Sequence, residues 1–149
     1  MEQIEWRVKK FEELTRLELY DMMNLRQVVF VVEQDCPYID ADYKDLKSWH
    51  IMGYIDGKLK LYTRLVFPSI SYKEPSIGRV VSCPSIRRQG YGVPLMQKSV
   101  EIHDEKYPNQ GCRISAQTYL IPYYSTFGFE VCSEEYLEDN LPHHEMIRK

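Results

Sequence analysis

Arg87-Arg88-Gln89-Gly90-Tyr91-Gly92 follows an apolar run, Ile77 to Cys83, and leads into an amphipathic segment, Val93 to Tyr107. A strand that enters a helix through Arg-x-x-Gly-x-Gly is built to hold an anion. The glycines let the backbone turn so that its N–H groups converge, the helix start adds unpaired donors and the positive end of its dipole, and arginine adds fixed charge. Phosphate or pyrophosphate is the expected guest. The stretch is neither the Gly-x-x-x-x-Gly-Lys-Ser/Thr loop nor the Gly-x-Gly-x-x-Gly turn, and Gln110 and Gly111 stand where a dinucleotide fold would carry an acidic ribose ligand. ATP and NAD are disfavoured. Glycines flanked by arginines also occur in solvated basic turns, so the motif needs a second marker.

Working outward, the chain alternates strand and helix patterns without a linker, repeat or low-complexity segment, which predicts an α/β or α+β domain. Ile4 to Val8 reads as a first strand. Thr15 and Glu18 form a Thr-x-x-Glu capping box, and Leu17, Tyr20, Leu25, Val28, Val29 and Val32 roughly follow helical spacing, so the first helix starts there and breaks before an Asp-rich loop. Trp49 to Ile55 and Leu59 to Phe67 flank Asp56-Gly57 and predict an antiparallel hairpin on a type I′ turn. Pro68 to Pro75 is a loop and Ser76 to Cys83 a strand. Gly90 to Tyr107 is a helix, Arg113 to Gln117 a strand, and Pro122 to Phe127 a short helix with proline in its first turn. Glu130 to Ser133 and His143 to Arg148 supply closing strands.

At 149 residues, 44% hydrophobic and with twelve tyrosines, the chain can bury one sizeable core, and a single domain over residues 1–149 is the expectation. The net charge is −3 and the basic residues are dispersed, so no stripe exists to track a nucleic-acid backbone. No apolar run approaches the roughly 18 residues needed to span a bilayer, and the N-terminus does not read as a signal peptide, which predicts a cytoplasmic protein without a membrane partner. Cys36, Cys83, Cys112 and Cys132 fall at wide spacings with no Cys-x-x-Cys or Cys/His pattern, and read as free thiols with no metal.

The second marker lies in Arg113-Ile-Ser-Ala-Gln-Thr-Tyr-Leu-Ile-Pro-Tyr-Tyr-Ser-Thr-Phe-Gly-Phe129, which reads as strand, turn, short helix and glycine turn. Arg-x-x-Gly-x-Gly at a helix start, followed downstream by Tyr124-Ser-Thr-Phe-Gly128-Phe129, resembles the acyl-CoA loop and tyrosine-bearing helix of the GNAT superfamily of N-acetyltransferases. Leu25-Arg26-Gln27-Val28-Val29-Phe30-Val31-Val32-Glu33-Gln34-Asp35-Cys36-Pro37-Tyr38, then Asp40, Asp42, Asp45 and His50, resembles its ElaA-like branch. With Ile77-Gly78-Arg79-Val80-Val81 and Pro142-His143, the similarity spans nearly the whole chain.

That resemblance implies the GNAT fold, a mixed and mostly antiparallel central sheet splayed between its fourth and fifth strands and flanked by helices. It implies acetyl-CoA as co-substrate, with its pantetheine arm paired to the main chain of Val80, Val81 and Ser82 like an added strand. Arg87 or Arg88, with the N–H groups of Gln89, Gly90, Tyr91, Gly92 and Val93, would hold the pyrophosphate. Pro94 departs from the usual pattern, but a first-turn N–H has no helical partner to lose. Tyr124 would be the general acid that protonates the departing thiolate, and Val81 or Ser82 would offer an N–H to the oxyanion. The acceptor would be a primary amine of a small molecule or peptide, and a homodimer is among the assemblies the resemblance allows.

The general base is open. Some members carry a glutamate on the strand before the loop, but Ile77 to Cys83 contains no carboxylate. Glu33, His50 and His143 can each titrate or relay a proton, and each also reads as a hydrogen-bonded structural residue. Asp35, Asp40, Asp42 and Asp45 read either as a loop that receives a cationic amine or as a solvated loop with Asp-turns; calcium is disfavoured because the Gly and distal Glu of an EF-hand are missing. His103, His144, Met96 and Val100 read as packing or surface. Two other functions fit less of the chain: a non-catalytic acyl-CoA-binding module, and an acyltransferase like the acyl-homoserine-lactone synthases, which share Arg26-x-x-Val-Phe-x-x-Glu33 but are longer.

Overall fold

The computed structural model describes residues 2–149. Glu5–Lys10 (β1), Ser48–Ile55 (β2), Lys58–Val66 (β3) and Ser76–Ser82 (β4) form a four-stranded sheet in that order, antiparallel throughout, with the two central strands buried along most of their length. Asp56 and Gly57 both take positive φ, 51° and 75°, as the type I′ turn between β2 and β3 requires. A second sheet is built around Leu141–Arg148 (β8). It pairs with Cys112–Gln117 (β5) on one side and with Glu130–Val131 (β6) and Tyr136–Glu138 (β7) on the other.

The two sheets meet at one end only. Arg113 N–H bonds Pro75 O at 3.1 Å where β4 and β5 begin. The strands leave this seam in the same sense, and no ladder joins them further along. The interval between Val80–Ser82 and Ser115–Gln117 therefore opens into a cleft, the splay expected between the fourth and fifth strands.

Period-two alternation puts residues of each strand on opposite faces of the first sheet, and a helix covers each face. Arg16–Arg26 (α1) packs Met22 and Leu25 on Met52, Tyr54, Tyr62 and Val81. Gly92–Lys106 (α2) packs Met96 and Ile102 on Ile51, Leu65 and Ile77, where they also meet Ile114, Phe129 and Met146 from the second sheet. The α1 capping box forms as the sequence predicts, with Glu18 N–H donating to Thr15 Oγ1 (3.1 Å) and Thr15 N–H to Glu18 Oε1 (2.9 Å).

Several boundaries differ from the sequence reading. The first helix does not break before the Asp-rich loop; it widens into π-type turns over Gln27–Glu33, with Gln34 N–H reaching Val29 O and Cys36 N–H reaching Val31 O. The central helix starts at Gly92 rather than Gly90, because Gly90 sits at φ 85° in the turn before it. Ile121–Ser125 (α3) ends before Phe127, and Gly128 at φ 92° turns the chain into β6. The strand β7 was missed altogether: Asp139 and Asn140, both at positive φ, close a second tight hairpin from β7 to β8.

Asp40, Asp42 and Asp45 form neither a solvated loop nor a free acidic surface, which corrects both readings for these three; Asp35 stays exposed and lines the cleft, and Lys44 N–H closes an Asp-turn on Asp42 Oδ1 at 3.1 Å. Asp40 accepts from Arg26 Nε and Arg79 Nε, each at 2.7 Å. Asp42 takes both arms of Arg64 at 2.8 and 3.0 Å, and Asp45 bonds Arg26 Nη1 at 2.7 Å and Arg64 Nη1 at 3.0 Å. Arg26, Arg64, Asp40 and Asp45 are buried, so the charges cancel in the interior. Burial alone would raise the Asp42 carboxyl, but the Arg64 hydrogen bonds and the charges of Arg64 and Arg79 bring it down to about 2, and Arg26 and Arg64 likewise hold Asp45 low against its burial. The four cysteines are unpaired.

Arg26→Met leaves two buried carboxylates short of a partner and is expected to cost about 3 kcal/mol in urea unfolding. Because Asp42 and Asp45 are depressed in the folded state, their contribution is complete above the unfolded value near 3.9 and disappears as pH falls toward about 2. Wild-type stability should fall over that window, and the variant should show a shallower fall. A cost below about 1 kcal/mol, in the range of a surface pair, would mean that the network does not hold the loop.

Candidate functional site

The opening between the two sheets is a cleft of about 1250 Å³. One wall is β4, which carries a bulge. Tyr62 pairs with Val81 and Arg64 with Gly78, so Thr63 alone faces Arg79 and Val80. Arg79 takes φ 49°, a left-handed conformation that costs a non-glycine residue roughly 1–3 kcal/mol. Its guanidinium is tied to Asp40, so the buried ion network holds the strained residue in place. Beyond the seam, the cleft-side edge of β4 at Val80, Val81 and Ser82 has no strand partner, and an extended ligand could add there.

At the end of β4 a short 3-10 turn, Pro84–Ile86, leads to Arg88 at φ 64° and Gly90 at φ 85°. The α2 helix then begins without any side-chain cap, so its first-turn N–H groups are available to an anion. Pro94 lies in that first turn and interrupts no helical bond. The loop is fixed at both ends: Tyr91 is buried with its hydroxyl accepting from Glu2 N–H (3.0 Å), and Tyr123 OH donates to Gly92 O (2.9 Å). Gln89 and Val93 are exposed. Among the described residues, Arg88 makes no ion pair or hydrogen bond, whereas Arg87 grips Glu33 with two arms (2.9 and 2.7 Å) and reaches Ser82 O at 3.3 Å.

Tyr124 lines the same cleft from α3. Its ring packs edge-on against Tyr123 and Phe129, and among the described residues its hydroxyl has no hydrogen-bond partner. Burial, and then the neighbouring phenols of Tyr123 and Tyr119, push it up to about 12. The phenol therefore stays protonated and can only give its proton to a strong base formed beside it.

The three base candidates part company. Glu33 reaches the cleft but is committed to Arg87. His50 is fully buried outside the cleft lining, with Nδ1 on Tyr62 OH (2.7 Å) and Nε2 on Asp45 O (2.9 Å). Burial holds it below its ordinary value, and it serves the fold under the acidic loop rather than the acceptor side. His143, at the start of β8, lines the cleft. Its Nδ1 meets Leu141 O at 2.7 Å and its ring stacks on Tyr136 at 6.1 Å. Glu138, which the sequence reading missed, faces it from β7; Asp139-Asn140 between two short extended runs was the available signal. Among the described residues no group of three or more His, Cys, Asp or Glu is placed to hold a metal ion, and no helix is long and apolar enough to cross a membrane.

Residues 66–149 match the family model described as an acetyltransferase (GNAT) domain. The chain is 36% identical to protein ElaA of Escherichia coli strain K12 over 98% of its own length and 97% of that protein. It is 39% identical to a UPF0039 protein of Synechocystis over 97% of this chain and 95% of the other. Among solved structures, an acyl-CoA N-acyltransferase from Pseudomonas aeruginosa superposes with a TM-score of 0.94 at 40% identity, covering 99% of this chain and 100% of that one. Escherichia coli ElaA superposes with a TM-score of 0.92 over 99% and 100%.

If Arg87 is a ligand of an anion in the loop, the anion competes with Glu33 for it. Glu33→Gln is therefore expected to bind inorganic pyrophosphate more tightly, by up to about five-fold, since an exposed pair is worth about 0–1 kcal/mol. Calorimetric titration of both proteins checks this, and unchanged affinity would mean that Arg87 is not an anion ligand.

Proposed function

The chain belongs to the GNAT family of acetyltransferases, in its ElaA-like branch, and we propose on that premise that it moves an acetyl group from acetyl-CoA to a primary amine by direct attack in a ternary complex. The observation that carries this reading is a single cleft lined by an unpaired strand edge, by a protonated, unpartnered tyrosine, and by Arg87 and Arg88 of the loop that leads into an uncapped helix start. Each suits one part of the co-substrate. The N–H groups from Gln89 through Gly90, Tyr91 and Gly92 to Val93, with Arg88 and a released Arg87, take the pyrophosphate. The main chain of Val80, Val81 and Ser82 takes the pantetheine amides. Acetyl-CoA supplies the thioester carbon that the amine attacks.

An alkyl amine with a pKa near 10.4 is only about one part in a thousand neutral at pH 7.4, which costs roughly 4 kcal/mol unless the site removes a proton. We assign that task to His143. Leu141 O can only accept, so Nδ1 carries the hydrogen and the Nε2 lone pair is free to take a proton. Both nitrogens of His50 are occupied, and Glu33, which the pyrophosphate would release from Arg87, is a carboxylate and so a weaker base than an imidazole. As charge develops on the thioester oxygen, the N–H of Ser82 stabilises it, since the N–H of Val81 points into the β3 ladder, and Tyr124 gives its proton to the leaving sulfur.

Tyr124→Phe should lower turnover by about 100-fold, in the range of a lost general acid, while acetyl-CoA affinity stays within about two-fold. Tyr123→Phe, which frees Gly92 O, should instead weaken acetyl-CoA binding. Thiol release and calorimetry on the two variants separate these effects. Full turnover of Tyr124→Phe at every pH would remove the phenol from the chemistry.

A further inference from the structure

On the acceptor side of the cleft, His143 Nε2 stands 3.4 Å from Glu138 Oε2, with no hydrogen-bond geometry between them. Nδ1 holds the ring hydrogen against Leu141 O, so a neutral Nε2 presents a lone pair to a carboxylate oxygen that also has only lone pairs. Such a contact lacks a hydrogen. It is completed by a proton on Nε2, or by a guest whose N–H groups reach both atoms.

Neither partner is free to turn away. The His143 side chain is 7% exposed and lies flat on the Tyr136 ring, 25° from parallel. The Glu138 side chain is 51% exposed and lines the cleft, but its other oxygen, Oε1, accepts from Ser115 Oγ at 3.1 Å, and Ser115 is itself bonded to Tyr136 OH. Around the pair, Tyr72 and Tyr136 have phenols that burial pushes up and keeps neutral, and Gln117, the ladder partner of His143, is uncharged. Glu145 further along β8 is paired with Arg113, and His144 bonds Thr118. Asp139, next in the turn, also lines the cleft. Glu138 is the carboxylate in contact with the ring.

We propose that Glu138 and His143 form an ammonium-docking and deprotonating pair, so that the acceptor enters as an unhindered primary ammonium ion donating to Glu138 Oε2 and His143 Nε2 together. This rests on the reading of His143 as the base. One N–H bond of the ammonium breaks as Nε2–H forms, and the freed lone pair makes the C–N bond as C–S breaks. Tyr124 supplies the proton to sulfur, and the proton lost from the acylated nitrogen restores the phenol through solvent. The imidazolium left behind has its new N–H facing Glu138 and later releases that proton to water. Glu138 thus selects a charged, unbranched amine terminus over a neutral or anionic acceptor.

The binding test needs no identified substrate. Methylammonium chloride is titrated into uniformly 15N-labelled protein while the imidazole resonances of the four histidines are followed, with His143→Asn assigning one of them. The expected result is a saturable shift at His143 Nε2 whose affinity falls about ten-fold or more in Glu138→Gln and partly returns in Glu138→Asp. Acetyl-CoA affinity, measured alongside, stays the same. A Glu138→Gln protein that binds methylammonium as the wild type does, or a wild type that shows no shift, overturns the pair. Thiol release by His143→Asn decides the underlying reading separately: full turnover there removes the base and the pair together, whereas lost turnover with an unchanged Glu138→Gln titration removes only the pair.

Discussion

Arg26, Arg64 and Arg79 reach one loop from a helix and two strands, and the aspartates they meet set the shape of the cleft. With Arg26, Arg64, Asp40 and Asp45 buried and Arg79 and Asp42 at their edge, the six charges favour one arrangement, because removing any member leaves a buried charge short of a partner. Arg26 anchors the loop to α1 just where the helix widens into π-type turns, which aims Phe30 and Glu33 at the cleft. Arg64 anchors it to the middle of the first sheet. Arg79 is the link to function, since its side chain compensates a left-handed backbone in the strand wall.

The bulge at Arg79 and the splay at the seam work together. A ladder that continued from β4 to β5 would satisfy the main chain of Val80 to Ser82 and leave no site. The chain instead places the α2 crossover between two strands that touch only where they begin, so the edge stays open. Tyr123 then ties the short α3 helix to the start of α2, and its neighbour Tyr124 is left facing the cleft without a partner. Two adjacent tyrosines thus do different work, one through its hydrogen bond and the other through its lack of one.

Most of this frame can be read from the residues. Asp56-Gly57, the Thr15–Glu18 box and the Arg-x-x-Gly-x-Gly turn are local signals, and each local choice agrees with the tertiary structure. The buried network is a different matter. Asp40, Asp42 and Asp45 look like a solvated loop because their arginines stand at positions 26, 64 and 79, and no local rule connects them. His50 looked titratable for the same reason: its burial and the occupation of both nitrogens are tertiary facts. Glu138 was hidden behind a strand of three residues, too short for its alternation to register, although Asp139-Asn140 offered the turn. The buried network escaped because its partners are distant in sequence, and Glu138 because its strand is too short to carry a pattern; of these, Glu138 lines the acceptor side.

The central question is whether this cleft takes acetyl-CoA and gives up its acyl group to an amine. The direct measurement is calorimetric titration with acetyl-CoA, followed in the same sample by thiol release as a panel of small amines and peptides is added. Saturable binding, weakened in Arg88→Ala, is expected, with thiol release that depends on the amine. Absence of binding would contradict the reading of the loop from Arg87 onward, and tight binding without release on any amine of the panel would make the protein an acyl-CoA-binding module rather than a transferase.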